Sequence, residues 1–211
     1  MQRITTKDSS YTFYNEEFDE YYHSLSGAHE EAREKYAIPA LKFYEKYLIN
    51  AKKITLLDFC FGTGYNSLVF IQQMRKAGHT LPIHIIALER DQEIIEQGKI
   101  VLKDLYEEMH KDSNVTLTHI MGNAEQTINN TFFQEHTIDI CFFDPFSPKK
   151  CPVLWTGEIF KTIYNYMNTP ALLSTYSCAR AVRDHLREAG FKVADGPTVG
   201  RNAPATLAYK E

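Results

Sequence analysis

The chain has 211 residues, of which 44% are hydrophobic and 24% are charged, as expected for one globular domain with a sizeable core. Its net charge of −4 does not match a protein that binds nucleic acid mainly through phosphates, so any RNA binding would use a local basic patch. The apolar runs are strand-sized and the start, MQRITTKDSS, lacks a signal-peptide core. We therefore expect a cytoplasmic protein without a membrane segment.

Metal and disulfide sites have no basis in the sequence. The four cysteines are far apart and form no CxxC pair, and the eight histidines include no HExxH spacing. We expect reduced thiols and no bound metal.

Residues 1–50 are rich in Tyr, Phe and Glu. We expect irregular structure with aromatic anchors in the first half, then helix around Glu30 to Tyr36 and from Pro39 onward. The aromatic side chains are interpreted as packing on the core, with stacking on a flipped base as the alternative. The acidic cluster Glu16, Glu17, Asp19 and Glu20 is expected to be ordinary surface. Because no linker follows, this segment is predicted to be a lid or extension of one domain spanning residues 1–211.

From Ile54 onward, strand and helix patterns alternate, which predicts an α/β fold with a mainly parallel, doubly wound sheet. The predicted strands are Ile54 to Cys60, Ile83 to Glu89, Val115 to Met121, Ile138 to Phe143 and Ala171 to Thr175. The predicted helices are Asn66 to Ala77, Gln92 to about Met109, a short one from about Ala124, Glu158 to about Met167, and Ala179 to Ala189. Phe191 to Val193 and Thr206 to Tyr209 are expected to form a C-terminal antiparallel hairpin.

The first of these strands runs into a glycine turn, FGTGYNS, of the kind that holds a nucleotide-like cofactor. Ser67 stands where the dinucleotide fingerprint needs its third glycine, and no Gly-Lys-Ser/Thr follows, which weakens NAD and ATP as candidates. The predicted cofactor contacts here are Asp58, Gly62, Thr63, Gly64 and Asn66.

Two further strand ends complete the predicted cofactor site. Glu89 can accept hydrogen bonds from both hydroxyls of a ribose, and with no pyrophosphate implied, S-adenosylmethionine fits better than NAD. Asn123 and Ala124 would lie near the adenine. As alternatives, Glu89 is a solvated strand terminus and Asn123 is a helix N-cap.

The most apolar strand, IDICFF, ends in Asp144-Pro145-Phe146-Ser147-Pro148. A carboxylate at this position could orient an amine, accept its proton and balance its developing positive charge during methyl transfer to nitrogen. We therefore predict Asp144 as the catalytic residue, with Phe146 beside the substrate. The alternative is an Asp that caps a turn.

Several long stretches resemble the methyltransferase domain of the MnmC family, which makes 5-methylaminomethyl-2-thiouridine in tRNA. They are FYNEEFDEYYHSLSGAHEEAREKY, FGTGYNSL, DPFSPKKCPVLWT and STYSCARAVRDHLREAGFKV, followed by a late Gly-Arg. The resemblance covers nearly the whole chain from about Tyr11. It implies a Rossmann-like class I S-adenosylmethionine-dependent fold and N-methylation of 5-aminomethyl-(2-thio)uridine at the tRNA wobble position.

The resemblance also assigns roles to individual residues. It places the glycine turn and Glu89 at the cofactor and Asp144 at the amine, while Tyr22, Glu31 and Arg33 match a motif that closes over the cofactor pocket. Trp155 and Arg201 match positions near the substrate mouth. Other basic residues expected to meet tRNA are Lys149, Lys150, Arg180 and Arg183, although Arg180 and Arg183 also suit a solvated helix face.

Three residues or stretches depart from the family pattern. Cys60 replaces a glycine, Asn123 replaces an aspartate, and GRNAP replaces a more basic run. The flavin-dependent oxidase domain of the two-part members is not expected in this chain, so the aminomethyl substrate would come from another enzyme. Methylation of a small amine or another RNA, or cofactor binding without catalysis, remain the alternatives.

Overall fold

A computed structural model describes residues 1–130, 133, 137–200 and 202–211, and its N-terminal segment begins with a small antiparallel sheet. Strands β1 (Gln2–Thr5), β2 (Tyr11–Asn15) and β3 (Glu20–Tyr21) pair in that order. The expectation of irregular structure is wrong here. The turns contain Ser9 and Asp19 at positive φ, so they lack the glycine signal by which short hairpins are usually found.

A nearly continuous helical segment follows. It consists of α1 (Ala28–Glu31), a π-helical stretch (Ala32–Ala37), α2 (Ile38–Phe43) and a second π-helical stretch (Tyr44–Leu48). The two predicted helices are therefore joined, with Pro39 tolerated in the first turn of α2. The first π-helical stretch buries three consecutive residues, Lys35, Tyr36 and Ala37, and two of these reach the site described below.

The rest of the chain forms the predicted doubly wound core. Its strands are β4 (Ile54–Phe59), β5 (Ile83–Glu89), β6 (Val115–Met121), β7 (Ile138–Phe143), β8 (Met167–Thr175), β9 (Lys192–Asp195) and β10 (Thr206–Lys210). Its helices are α3 (Tyr65–Lys76), α4 (Gln92–Val101), α5 (Lys103–Lys111), α6 (Ala124–Thr127), α7 (Gly157–Tyr166) and α8 (Arg180–Ala189), with a 3₁₀ turn at Pro152–Leu154.

These strands form one sheet with the order β6-β5-β4-β7-β8-β10-β9. The first five are parallel, and β10 runs antiparallel to both β8 and β9. The fold class and the C-terminal hairpin are thus confirmed. Strand order reverses between β4 and β7, and ligands of such sheets bind beyond the carboxyl ends of the strands at this point.

Several element boundaries differ from the prediction, most by one or two residues. The expected helix from Gln92 to Met109 is two helices, because Leu102 leaves the helical conformation at φ −111° and ψ 27°. Strand β8 begins at Met167 rather than Ala171. Cys60 lies outside β4, with φ at 68°.

Two hydrophobic clusters cover the two faces of the sheet. One packs the N-terminal helical segment and α3 on the sheet, and the other packs α7 and α8 on the opposite face. Within the described ranges, no helix is long and apolar enough to cross a membrane.

Candidate active site

A cavity of about 560 Å³ opens at the carboxyl edge of the parallel strands. Its walls include the ends of β5 and β7, the start of α6, and the segment around β3 from the N-terminal sheet. The volume lies within the usual range for a small-molecule or cofactor pocket. The switch point of the sheet therefore carries a concave site that is partly roofed by the first 50 residues.

The glycine turn follows Cys60, which lines the cavity, but Gly62, Thr63 and Gly64 are not among the lining residues. Gly62 and Gly64 have φ values of 57° and 92°, in the left-handed region that glycine adopts without strain. A Cβ at Gly64 would come within 2.6 Å of the Phe61 ring. The buried Thr63 side chain bonds His23 Nε2 at 3.0 Å, so it faces the N-terminal segment. The turn is thus fixed by its own packing.

Asp58 and Asn66 lie beneath the turn and are not among the residues lining the cavity. Asp58 is fully buried and accepts a hydrogen bond from Ser67 Oγ at 2.5 Å. Asn66 donates from Nδ2 to Asp144 Oδ2 at 2.8 Å. In this structure, the two side chains support the turn and Asp144. Direct contact of Asp58 and Asn66 with the cofactor therefore remains a prediction.

Glu89 lies at the end of β5 and lines the cavity. Its Oε2 accepts from the Gly62 amide at 2.8 Å, and its Oε1 accepts from the amides of Arg90 and Asp91 at 2.8 and 3.0 Å. Burial raises its pKa, and these amide bonds act in the opposite direction. The carboxylate is therefore oriented by the backbone, and one lone pair of Oε2 remains for a ligand hydroxyl.

Asn123 and Ala124 line the same side of the cavity, at the end of β6. Asn123 occupies the N-cap position of α6, but its side chain makes no capping hydrogen bond. The alternative role of Asn123 as a capping side chain therefore has no support from the contacts, and its amide can serve a ligand.

Asp144 follows β7 and contributes its carboxylate to the opposite wall. The Tyr36 hydroxyl donates to its Oδ1 at 2.6 Å, and Asn66 donates to its Oδ2 at 2.8 Å. Burial raises the pKa of Asp144 to about 7, and the Glu31 carboxylate adds to the rise, while Tyr36, Asn66 and Lys35 act in the opposite direction. Such a pKa suits a group that exchanges protons near neutral pH.

Three residues at this wall were not predicted from the sequence: Tyr36, Lys35 and His23. Tyr36 is fully buried, and its hydroxyl also accepts from the Tyr176 amide at 3.2 Å. Lys35 and His23 line the cavity, and burial lowers the pKa of His23 to about 4, so its ring is neutral at pH 7. The sequence gives little signal for Lys35, because lysine is a residue type that is rarely buried unless it is paired, and its partner here is Glu31.

The N-terminal segment reaches the Asp144 loop through aromatic contacts. Phe18 stacks on Phe146 with ring centroids 4.6 Å apart, and Tyr22 packs on Phe146 at 4.9 Å. The Tyr22 hydroxyl donates to Asp91 at 3.0 Å. Phe146 and Tyr22 both line the cavity, as their predicted roles require.

Acidic residues of the same segment bond the rim of the cavity. Glu20 accepts from the Ser147 amide at 2.8 Å, Asp19 accepts from Lys150 Nζ at 2.6 Å, and Glu17 pairs with Arg90. Glu17 and Glu20 line the cavity. Glu17 is exposed, as expected for a surface cluster, whereas Glu20 is half-buried; both also tie the segment to the site.

The predicted substrate-binding residues have different surroundings. Trp155 is 4% exposed, and its indole N–H donates to Phe146 O at 2.8 Å, so it supports the Asp144 loop from within the core. Lys149 is exposed on that loop. Arg183 pairs with Asp195 at 2.7 Å and bonds Thr206, whereas Arg180 is almost fully exposed. Arg201 lies outside the described residues.

Arg33 and Cys60 were singled out from the family motifs, and one lies outside the cavity while the other lines it. The side chain of Arg33 is exposed and pairs with Glu34, and Arg33 is not among the residues lining the cavity. Cys60 adopts φ 68°, a conformation that favours glycine, and lines the cavity. Burial raises the pKa of its thiol. In the described part of the chain, no group of three His, Cys, Asp or Glu residues could hold a metal ion.

Comparison with known proteins identifies the family. A family model described as S-adenosyl-L-methionine-dependent methyltransferase matches residues 91–211. The chain belongs to this family. The seven-stranded arrangement described above is that of the class I members, and S-adenosyl-L-methionine is the cofactor.

Three individual relatives are similar to most of this chain. A crystal structure of MNMC2 from Aquifex aeolicus is similar at a TM-score of 0.81 and 27% identity, covering 98% of this chain and 69% of that one. The tRNA 5-methylaminomethyl-2-thiouridine biosynthesis bifunctional protein MnmC of Campylobacter hominis is 26% identical over 93% of this chain and 31% of its own length. The uncharacterized protein MJ0670 of Methanocaldococcus jannaschii is 28% identical over 98% of this chain and 59% of its own length. The methyltransferase thus spans less than two thirds of these two curated relatives.

The residues of the cavity suit this cofactor. Glu89 has the acceptor chemistry to bind a ribose hydroxyl, and the side-chain amide of Asn123, which makes no capping bond, has the chemistry to bind an adenine. The opposite wall carries the charged pair Glu31 and Lys35. Buried Nδ1 of His23 has no hydrogen-bond partner among the described residues. The methyltransferase therefore offers partners of the required chemistry along the length of the cavity.

Proposed function

We propose that the protein is an S-adenosyl-L-methionine-dependent N-methyltransferase that converts 5-aminomethyl-(2-thio)uridine to 5-methylaminomethyl-(2-thio)uridine at the wobble position of tRNA. The observation that carries this proposal is the Asp144 carboxylate, which lines the cofactor cavity with a pKa of about 7. The names of the MnmC relatives give further support. Such an enzyme would work in the cytoplasm, where it meets tRNA.

In this proposal, Glu89 holds the ribose, Asn123 and Ala124 contact the adenine, and the turn from Gly62 to Gly64 supports the rest of the cofactor. Tyr22 and Glu31 close the cavity from the N-terminal segment. The bound cofactor supplies an electrophilic methyl group on a sulfonium. The other reactant must then be an uncharged amine with its lone pair free.

Asp144 would prepare that amine. Tyr36 and Asn66 each use one lone pair of a different carboxylate oxygen, and each oxygen retains another for the amine N–H. The carboxylate can accept a proton from the incoming ammonium and can balance the positive charge that the nitrogen gains as its bond to carbon forms. Because Tyr36 and Asn66 fix the carboxylate, the amine would be held in one orientation.

The Asp144 loop would receive the uridine. Phe146 offers an aromatic face at the cavity, and Trp155 fixes the backbone of this residue through its indole N–H. Lys149 and Arg180 offer exposed cations for tRNA phosphates. Lys150 is held by Asp19, so it would become available when the N-terminal segment moves away.

The acidic rim favours a second candidate, methylation of a small cationic amine. Glu17, Glu20 and Glu125 all line the cavity, and carboxylates attract cations and repel phosphates. A small amine would need no basic surface around the mouth. It would use the same Asp144 chemistry.

Nucleoside mass spectrometry of tRNA from a deletion strain tests the proposal. Loss of 5-methylaminomethyl-(2-thio)uridine with accumulation of the aminomethyl form is expected, and complementation with the wild-type gene should restore the methylated form. Unchanged levels would reject the tRNA substrate and favour the small amine. Calorimetry with S-adenosyl-L-methionine tests the cavity separately, because a folded protein that does not bind it is not an active methyltransferase.

A further inference from the structure

Lys35 is a buried cation that faces the cofactor cavity. It is 2% exposed, lies in the π-helical stretch Ala32–Ala37, and lines the cavity. Its ammonium donates to Glu31 Oε1 at 2.6 Å, and no other acceptor bonds it among the described residues. A lysine ammonium has three donors, and leaving donors unused in a buried site is costly. The site therefore has capacity for an anionic ligand.

Glu31 is the matching anion. Its second oxygen accepts from the Ser24 amide at 2.9 Å, and it also lines the cavity. Burial would raise its pKa, but Lys35 and the Ser24 amide hold the pKa below the ordinary value. The carboxylate thus stays charged, and the two residues present a positive and a negative group side by side.

The position of this pair in the cavity indicates which ligand group it meets. Glu89 and Asn123 follow β5 and β6, on one side of β4, whereas Asp144 follows β7 on the other side. Tyr36, the neighbour of Lys35, bonds Asp144. The pair therefore lies on the Asp144 side, away from the residues that suit ribose and adenine.

We propose that Lys35 binds the methionyl carboxylate of S-adenosyl-L-methionine and that Glu31 binds its α-ammonium group. The α-amino-acid end of the cofactor is a zwitterion, and it complements a buried cation beside a buried anion. This inference rests on the cofactor orientation proposed above, and it does not depend on the methyl acceptor.

Calorimetry with three ligands tests the proposal. S-adenosyl-L-methionine has both charged groups, decarboxylated S-adenosylmethionine lacks the carboxylate, and 5′-methylthioadenosine lacks the whole amino-acid end. We expect the wild type to bind the first about 10- to 100-fold more tightly than the second, the range of one charge-assisted hydrogen bond. Lys35→Met should bring these two affinities within about threefold of each other and leave 5′-methylthioadenosine binding unchanged.

Matched variants separate this role from a general effect on folding. Lys42→Met removes an exposed lysine of the same helical segment and should keep the wild-type discrimination. Glu31→Gln should weaken both ligands that carry the ammonium group while 5′-methylthioadenosine still binds. Thermal unfolding of each variant confirms that the protein is folded.

Two results would overturn the proposal. One is a wild type that binds S-adenosyl-L-methionine and its decarboxylated form equally, which needs no variant. The other is a folded Lys35→Met protein that still prefers the carboxylate, or that loses affinity for all three ligands equally. Weak binding of 5′-methylthioadenosine to the wild type would instead contradict the assignment of Glu89 and Asn123 to the adenosine half of the cofactor.

Discussion

Replacing Asp144 by asparagine should make the protein more stable above neutral pH while removing its activity. The folded state raises the pKa of this carboxyl from 3.8 to about 7, so burial of the ionised form opposes folding. Its contribution to stability is fully present below pH 3.8 and is lost as the pH rises through 7. The asparagine side chain carries no charge at any of these pH values, so the variant escapes this loss.

The size of the effect follows from the pKa difference. A rise from 3.8 to about 7 corresponds to about 4 kcal/mol if the whole shift acts on stability. The carboxylate also faces the cavity and its water, so we expect about 2 kcal/mol. The amide can keep its neighbours, because Tyr36 can donate to its oxygen and Asn66 can rotate so that its unpartnered Oδ1 accepts from the new NH₂ group.

Denaturant unfolding of both proteins at pH 4, 6 and 8.5 measures this difference. The free energies of unfolding should be similar at pH 4, and the variant should be more stable by about 2 kcal/mol at pH 8.5. Cofactor affinity should be unchanged and turnover abolished. A stability difference that is independent of pH would refute the raised pKa, and retained turnover would remove Asp144 from the role of base.

Two further variants test the contacts that hold Asp144 and its loop in place. Tyr36→Phe removes a hydrogen bond that lowers the pKa of Asp144, so the pH–rate profile should move to higher pH. We also expect kcat to fall about 10-fold and cofactor affinity to stay unchanged. An unmoved pH–rate profile would contradict this role of Tyr36. Trp155→Phe removes the hydrogen bond to Phe146 O. The variant should lose about 1–2 kcal/mol of stability, and its KM for the methyl acceptor should rise. An unchanged KM in a folded variant would show that other contacts fix the Asp144 loop.

The sheet could be predicted from the sequence because its strands are apolar and regularly spaced. The bounds of β5, β6 and β7 agree with the prediction to the residue. Glu89 and Asp144 follow from the same regularity, since parallel strands bring their carboxyl ends to one edge. The acidic strand ends therefore predict where the cavity lies, since Glu89 and Asp144 both line it.

The N-terminal segment could not be predicted in the same way. Its strands have two to five residues and its turns lack glycine, so no period is long enough to recognise. Lys35 lines the cavity and is buried, although lysine usually lies at the surface, so no apolar pattern marks it as part of the site. Contacts such as the Tyr36–Asp144 bond join residues 108 positions apart, and no local pattern encodes them.

Three acidic residues of the N-terminal segment hold it against the facing wall of the site. Glu17, Asp19 and Glu20 each bond a group on the facing wall, namely Arg90, Lys150 and the Ser147 amide. Two of these contacts neutralise cations that could otherwise meet phosphate. Binding of tRNA would therefore have to compete with the contacts that hold the segment over the site.

Methyl transfer in vitro is the most direct test of the proposed function. Purified protein is incubated with methyl-labelled S-adenosyl-L-methionine and with tRNA that carries 5-aminomethyl-2-thiouridine at the wobble position, and the nucleosides are then separated. Labelled 5-methylaminomethyl-2-thiouridine is expected with the wild type and not with Asp144→Asn. Absence of labelled nucleoside from a wild-type protein that binds the cofactor would contradict the proposal that this site methylates the wobble uridine of tRNA.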